Sequence, residues 1–158
     1  MKTTNAMRLL TAAGIPFRAA EYAFDVNDLD GHHAAEGIGM PYDQVYKTLV
    51  TQAPDAPGEL YVFCLPVNAE LDLKKAAVSV KKKRLEMLPL RDLFPRTGYI
   101  RGGCSPIGMK KEYPVRIEET AQLFDIVAVS AGERGVQLLL DPVDLCRFVK
   151  GDFADIIH

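Results

Sequence analysis

The chain has 158 residues, of which 48% are hydrophobic and 25% charged, and its formal net charge is -2. The length fits one domain of ordinary size, and the composition excludes a disordered chain, a collagen-like fibre and a disulfide scaffold. No apolar run approaches the roughly 18 residues that a membrane-spanning helix needs, and the opening MKTTNAMRLL lacks the apolar core of a signal peptide. We therefore expect a single domain over residues 1–158 and a cytoplasmic protein without membrane contact.

The cysteines agree with this expectation. Cys64, Cys104 and Cys146 are odd in number and about 40 residues apart, with neither a CxxC pair nor a disulfide framework. His32 and His33 lack a third ligand at metal-binding spacing. The sequence predicts neither a metal site nor a cofactor.

In chain order, the first half predicts two short helices, a strand and a hairpin. A capping residue, Thr3 or Thr4, precedes apolar residues at helical spacing, and Gly14 ends this first helix. Turn-forming residues over 54–58 separate two segments rich in β-formers. The remaining predicted elements are a strand over 17–24, a helix over 32–37 and hairpin strands over 45–52 and 59–65.

The second half adds two capped helices and several strands. Asp72 is the expected cap of a helix through Val80, and Asp141 before Pro142 begins a last helix to about Lys150. The other predicted elements are a short strand over 84–88, a glycine-rich loop over 98–108 and strands over 126–130 and 136–140. Strands outnumber crossover helices, which favours an α/β domain of the α+β type, with a mixed or mostly antiparallel sheet and peripheral helices.

A basic stretch occupies the middle of the chain. Residues 74–116 contain twelve basic and three acidic residues, a formal charge of +9 inside a chain of net charge -2. Local charge of this size suits an anionic partner. A solvated lysine-rich face explains the same pattern, and the two interpretations stand about equal.

Lys47 is the residue that chemistry singles out first. Side chains alternate along a strand, so Lys47 shares a face with Val45 and Leu49. An ammonium group between aliphatic neighbours loses hydration unless it lies at a cleft or a sheet edge. The alternative is an edge-strand lysine that blocks aggregation.

The loop over 102–108, GGCSPIG, is the second candidate. Glycines let a backbone approach a ligand and direct amide groups toward it, although an ordinary turn is the simpler interpretation. Cys104 shows no local signature of a nucleophile paired with a histidine. Ser105 and Ser130 lack the GxSxG setting of a nucleophilic serine. The residues alone therefore predict no standard hydrolase triad.

Five segments taken together resemble the YbaK family, bacterial deacylases that clear Cys-tRNA(Pro) and are related to the editing insertion of bacterial prolyl-tRNA synthetase. The segments are DQVYKTL (43–49), LDLKK (71–75), TGY (97–99), GGCSPIG (102–108) and VSAGERG (129–135). The likeness covers nearly the whole chain. It implies a compact mixed α/β fold with a largely antiparallel, barrel-like sheet and peripheral helices.

The resemblance also implies site residues. It makes Lys47 the catalytic residue, and the implied substrate-binding residues are Tyr22, Thr48, Gly102, Gly103 and Ser130. Two positions depart from the family pattern. Where an aspartate can follow the RG turn by two positions, this chain has Gln137, and where the family has an aromatic residue near the pocket entrance, this chain has Asp30. The roles of these two positions therefore stay open. Family members often carry isoleucine in place of Cys104, which argues against a nucleophilic cysteine.

The implied activity is trans-editing of mischarged Cys-tRNA(Pro), extending to Cys-tRNA(Cys), in which the thiol of the substrate attacks its own ester carbonyl. Prolyl-tRNA synthetase is the implied protein partner. Basic residues would contact the tRNA backbone, and those assigned to it are Lys74, Lys75, Lys81, Lys82, Lys83, Lys110 and Lys111. Two alternatives stay open: a deacylase that removes alanine from tRNA(Pro) with water, and a non-catalytic module that binds tRNA or a synthetase.

Overall fold

A computed structural model describes all residues, 1–158, as five α-helices, eight β-strands and two 3₁₀ helices. In chain order the elements are α1 (Asn5–Ala12), β1 (Arg18–Glu21), α2 (Gly31–Ile38), β2 (Tyr46–Ala53), β3 (Ala56–Pro66), α3 (Leu73–Ser79), β4 (Glu86–Met87), α4 (Leu90–Thr97), β5 (Val115–Glu118), β6 (Val127–Ser130), β7 (Val136–Leu140), α5 (Pro142–Phe148) and β8 (Asp152–Ala154). The 3₁₀ helices cover Tyr42–Gln44 and Glu119–Leu123. None of the α-helices has the length and hydropathy needed to cross a membrane.

The strands form two separate sheets. The smaller has the order β1–β7–β6 and is antiparallel, and the larger has the order β4–β2–β3–β5–β8 with parallel pairing of β5 to β3 and of β8 to β5. The prediction of a mixed, largely antiparallel α/β fold is confirmed. The sheets do not close into a barrel: one parallel bridge, between Val45 and Ala128, connects them.

The long hairpin of β2 and β3 carries apolar residues on both faces. One face, with Leu60 and Val62, belongs to the largest core cluster, which also contains residues of the smaller sheet. The other face, with Phe63 and Leu65, packs against Ala76 of α3. Burial on both sides explains why β3 is an apolar run without alternation.

Side-chain caps begin four of the five α-helices, and three of these caps were predicted from the sequence. Thr4, Asp72 and Asp141, all predicted as caps, accept hydrogen bonds from backbone N–H groups in the first turns of α1, α3 and α5. Asp30 caps α2 by accepting from the backbone N–H of His32 at 2.9 Å. Capping satisfies N–H groups that would otherwise lack partners.

Several predicted boundaries were wrong. The hairpin turn is confined to residues 54 and 55, because Pro57 and Gly58 already belong to β3. The strands predicted over 17–24 and 84–88 shorten to β1 and β4. The prediction also missed α4, β5 and β8, which are short and, in the case of α4, contain an internal proline, Pro95.

Candidate active site

A cavity of about 530 Å³ lies where the two sheets part. Val45, the residue just before β2, forms an isolated parallel bridge with Ala128 of β6, and β2 and β6 form no further ladder with each other. The cavity is lined by both strands, by the segment before α2, by the glycine-rich loop and by the start of α4. Its lining includes five of the sequence-predicted site residues, Tyr22, Lys47, Thr48, Gly102 and Ser130.

Backbone polar groups reach this cavity from both sheets. Val45 accepts from the N–H of Val67 across the hairpin at 2.9 Å, so the alternation of an antiparallel ladder turns the N–H and C=O of Thr48 away from β3. The N–H of Ala131 donates to the carbonyl of Val136 at 3.0 Å, and the same alternation turns the backbone of Ser130 away from β7. Both residues line the cavity, so a bound acyl group meets peptide groups from two strands.

Lys47 is half-buried in the cavity wall and forms no ion pair within the protein. Burial lowers the pKa of its ammonium group below the ordinary 10.5, and the carboxylates of Asp30 and Glu70 oppose that shift. Desolvation disfavours the charged form of a lysine, which makes it a better proton donor than a lysine in water. The cleft that the sequence argument required for this lysine is present.

Asp30 supplies a carboxylate to the same cavity. Its Oδ1 accepts from the backbone N–H of His32 at 2.9 Å and lies 2.7 Å from Nδ1 of the same residue. The hydrogen bond from the His32 backbone is the main cause of the lowered pKa of Asp30. This carboxylate therefore stays ionised at neutral pH. It lines the same cavity as Lys47, and the two opposite charges favour each other's ionised form.

Tyr22 is held in the wall by a close approach to α2. A Cβ atom added at Gly37 would lie 2.6 Å from the Cβ of Tyr22, so only glycine allows the helix and the tyrosine to pack this closely. The backbone N–H of Tyr22 also donates to the carbonyl of Gly135 at 2.9 Å. The ring is thus placed by two neighbouring elements.

The two glycines of the loop have different positions. Gly102 lines the cavity with φ of +86°, in the left-handed region. Gly103 is buried behind it, and its N–H already donates to the carbonyl of Ile100 at 3.0 Å. A Cβ at Gly103 would lie 3.1 Å from the backbone nitrogen of Arg134. The structure therefore brings Gly102 to the cavity and uses Gly103 to pack the loop against the 132–135 turn.

Ser130 and Gln137 are cross-strand neighbours at the end of the smaller sheet. Ser130 accepts from the N–H of Gly132 through its Oγ at 3.1 Å, which fixes the hydroxyl. Gln137 also lines the cavity, and its Oε1 is buried without a hydrogen-bond donor in the protein. An unpaired buried acceptor is costly, so this atom is suited to a donor on a bound molecule.

None of the cysteines is ionised at neutral pH. Burial raises the pKa of both Cys64 and Cys104 to about 12 and raises that of Cys146 as well. The thiolate is the nucleophilic form of cysteine. Cys104 lines the cavity as a neutral thiol, and neither His32 nor His33 shares that lining, so the cavity contains no thiolate–imidazole pair.

The predicted tRNA-binding lysines do not line the cavity. Lys75 donates to Asp155 and to the carbonyl of Ile157, and Lys82 pairs with Glu59 at 2.7 Å. Lys110 lies beside α4, with its Nζ 5.4 Å from the centroid of the Phe94 ring. The basic stretch is therefore divided over different faces and is partly paired within the protein.

One end of the cavity was not predicted from the sequence. Met87, Leu88, Leu90 and Leu93 form this apolar end, from β4 to α4. The spacing of Leu90 and Leu93 is a helical signal, but Pro95 obscures it because proline rarely lies inside a helix. Leu29 and Asp30, just before α2, were likewise not predicted to contact a ligand.

The arrangement defines a class of protein. A family profile described as the aminoacyl-tRNA editing domain matches residues 30–148, and the chain belongs to this family, as the resemblance to YbaK predicted. The match spans β2, the glycine-rich loop and the Ser130–Gln137 pair. These are the segments that build the cavity.

Relatives refine this assignment. The chain is 44% identical over 153 residues to EbsC of Enterococcus faecalis, provisionally named a Cys-tRNA(Pro)/Cys-tRNA(Cys) deacylase, with 97% of this chain and 92% of EbsC covered. A crystal structure described as a provisional trans-editing enzyme for prolyl-tRNA synthetase superposes with a TM-score of 0.83 at 21% identity, covering 99% of both chains. A hypothetical protein superposes with a TM-score of 0.84 at 17% identity, covering 96% of this chain and 97% of its own. The two structures establish the likeness of fold.

Proposed function

We propose that the protein, acting as one editing domain over residues 1–158, deacylates tRNA mischarged with cysteine, with Cys-tRNA(Pro) as the main substrate and Cys-tRNA(Cys) as a second. The family membership supports a deacylase, and the near-full-length likeness to EbsC supports the cysteinyl substrate. Editing of this kind has a physical need, because cysteine and proline are close in size and a small apolar difference supports only ~1–3 kcal/mol of discrimination.

The observation that carries the proposal is a cavity with an unpaired, half-buried ammonium group and no activated nucleophile of its own. Lys47 has no carboxylate within ion-pair distance, and the pKa of Cys104 is raised to about 12. A substrate that contains its own nucleophile needs a protein that holds it in the reactive conformation and stabilises the charge that develops on the leaving oxygen. A cysteinyl ester is such a substrate.

In the proposed reaction the thiol sulfur of the substrate attacks its own ester carbonyl. The S–C bond forms, the C–O bond to the terminal ribose breaks, and the thiol proton is balanced by protonation of the departing ribose oxygen. The products are free tRNA and a cyclic thioester, which water opens to cysteine. Well-oriented intramolecular attack contributes about 7–11 kcal/mol.

Six residues of the cavity lining have a part in this reaction. The Lys47 ammonium binds the terminal ribose or its phosphate and stabilises charge on the leaving oxygen. The backbone groups of Thr48, Gly102 and Ser130 hold the acyl group and its carbonyl oxygen. Gln137 accepts from the α-ammonium group through Oε1. Tyr22 covers the acyl group and excludes water.

The test measures release of cysteine and alanine from tRNA(Pro), and of cysteine from tRNA(Cys), by wild type, Lys47→Ala and Lys2→Ala. We expect Lys47→Ala to lower kcat/KM for Cys-tRNA(Pro) by about 100-fold or more, because it removes the half-buried cation that stabilises charge on the leaving oxygen. Lys2, an exposed residue paired with Glu133 at 3.5 Å, is the matched control and should change little.

Each other outcome has a meaning. Release of alanine as fast as cysteine would favour the water-dependent deacylase of Ala-tRNA(Pro). If the wild-type protein deacylates none of these substrates and Lys47→Ala only weakens tRNA binding, the result would favour the non-catalytic module. Dependence of cysteine release on added prolyl-tRNA synthetase would support the synthetase as partner.

A further inference from the structure

The apolar end of the cavity continues onto the surface. Met87, Leu90 and Phe94, here called the apolar ledge, are exposed by 44%, 60% and 56%, respectively. Met87 and Leu90 also line the cavity. Phe94 follows Leu90 by four residues on α4, so the two side chains share a helix face with a rise of about 6 Å between them. The ledge therefore leads from the cavity mouth outward along one face of α4.

Cations border this ledge. Lys110 holds its Nζ 5.4 Å from the Phe94 ring centroid and donates to the carbonyl of Pro95 at 3.3 Å. Arg91, next to Leu90, and Arg101, in the cavity lining, are both exposed and form no ion pair within the protein. An exposed apolar surface without such cations would suit many partners. Here the charges select an anionic one.

We propose that the apolar ledge binds the unpaired 3′-terminal nucleotides of the acylated RNA, with bases on Leu90 and Phe94 and phosphates near Arg91, Arg101 and Lys110. The inference rests on the proposed function, because the acyl group in the cavity fixes where the RNA 3′ end emerges. Single-stranded nucleic acids are bound by this combination, in which bases stack on aromatic side chains and cations follow the backbone.

The geometry also assigns an order. The terminal adenosine lies nearest the cavity, against Met87 and Leu90, because its ribose carries the acyl group. The preceding nucleotide lies one helical turn further out, at Phe94. The Phe94 contact thus depends on the presence of a second nucleotide, and it recognises the common CCA end without selecting a particular tRNA.

The test is a binding measurement that needs no catalysis. An uncharged RNA minihelix with an unpaired 3′ CCA and the same minihelix without these three nucleotides are compared by fluorescence anisotropy. We expect wild type and Phe94→Tyr to bind the CCA-ended minihelix about tenfold more tightly than the truncated one. Phe94→Ala should weaken this preference severalfold, because it removes the contact of the preceding nucleotide and leaves that of the terminal adenosine. Leu123→Ala, at a leucine exposed by 78% on a 3₁₀ helix outside the cavity lining, should keep it.

The inference is overturned if wild type does not distinguish the two minihelices, if Phe94→Ala keeps the full preference of wild type, or if Leu123→Ala weakens the preference as much as Phe94→Ala does. It is also overturned if Phe94→Ala weakens only a complex with a synthetase, since the ledge would then be a protein interface. A preserved CCA preference in a protein that fails to deacylate Cys-tRNA would support the ledge and contradict the proposed function. The two claims therefore fail separately.

Discussion

At the scale of single residues, the expectation that Lys47 lies at a cleft or a sheet edge depends only on strand alternation and on the cost of desolvating an ammonium group, whereas its catalytic role is a proposal that rests on the resemblance. The structure places Lys47 in a cleft, on a part of β2 that β4 does not pair with, and burial lowers the pKa of its ammonium group. Gln137 was noted in the sequence only as a departure from a family pattern. The unpaired state of its Oε1 follows from packing between β1, β6 and β7, which no local pattern encodes.

The lowered pKa of Lys47 predicts the shape of the pH profile. The thiol of the substrate, with a pKa of about 8.5, makes kcat/KM rise with pH. Loss of the Lys47 proton then makes kcat/KM fall, and this fall begins below the ordinary lysine pKa of 10.5. The sign follows from burial, which favours the neutral amine, so charge is lost at a lower pH than in water. The check is kcat/KM against pH, corrected for spontaneous ester hydrolysis, with side-chain NMR titration of Lys47.

Lys47→Arg is the matched control for the fall of kcat/KM at high pH, here called the falling limb. A guanidinium stays charged over the accessible range, so Lys47→Arg should lack that limb in whatever activity it keeps. The NMR titration of wild type should give a pKa below 10.5. An unchanged falling limb in Lys47→Arg, or an ordinary pKa for Lys47, would contradict this assignment.

At the scale of elements, the capped helices and the central hairpin followed from local rules, whereas α4, β5 and β8 did not. Aspartate or threonine caps and a β-rich pair of segments are local signals. β5 and β8 have four and three residues and are defined by parallel pairing with distant strands. Parallel partners far apart in sequence leave no turn signal between them. The apolar end of the cavity, which β4 and α4 form, was missed for a different reason, because Pro95 obscures the helical spacing of Leu90 and Leu93.

The packing of the glycine-rich loop against the 132–135 turn gives an element-scale prediction. Gly103→Ala places a Cβ 3.1 Å from the Arg134 backbone nitrogen and 3.2 Å from the carbonyl carbon of Glu133. Backbone atoms do not move aside as side chains do, so we expect a loss of about 1–3 kcal/mol in the free energy of unfolding. Displacement of Gly102 should also lower kcat/KM for the cysteinyl substrate.

Gly58→Ala is the matched control, because a Cβ at Gly58 would meet no atom within 4 Å. Its free energy of unfolding should stay within about 0.5 kcal/mol of wild type. Urea denaturation of both variants makes the comparison. Equal stability of Gly103→Ala and wild type would show that the two loops are not packed as described.

At the scale of the whole molecule, the fold places a cavity where two sheets meet at one bridge and then part. β2 and β6 are both partly free edges there, so Thr48 and Ser130 offer backbone groups from opposite sides. An edge strand normally invites aggregation, and here the parting of the two edges creates a binding site. The basic stretch carries most of the positive charge of the sequence. It contributes to this site only through Arg101 in the cavity lining and through Arg91 and Lys110 at α4.

The central claim is that the protein binds a mischarged aminoacyl ester in a conformation in which the side chain of the amino acid attacks its own ester carbonyl. Its most direct test is the single-turnover release of cysteine and of serine from the same tRNA(Pro) by the wild-type protein. The two acyl groups differ in one atom, sulfur or oxygen, and a hydroxyl is the weaker nucleophile. We predict that cysteine is released about 100-fold faster or more, since only its thiol gains from the intramolecular geometry. Equal rates for the two esters would contradict the account.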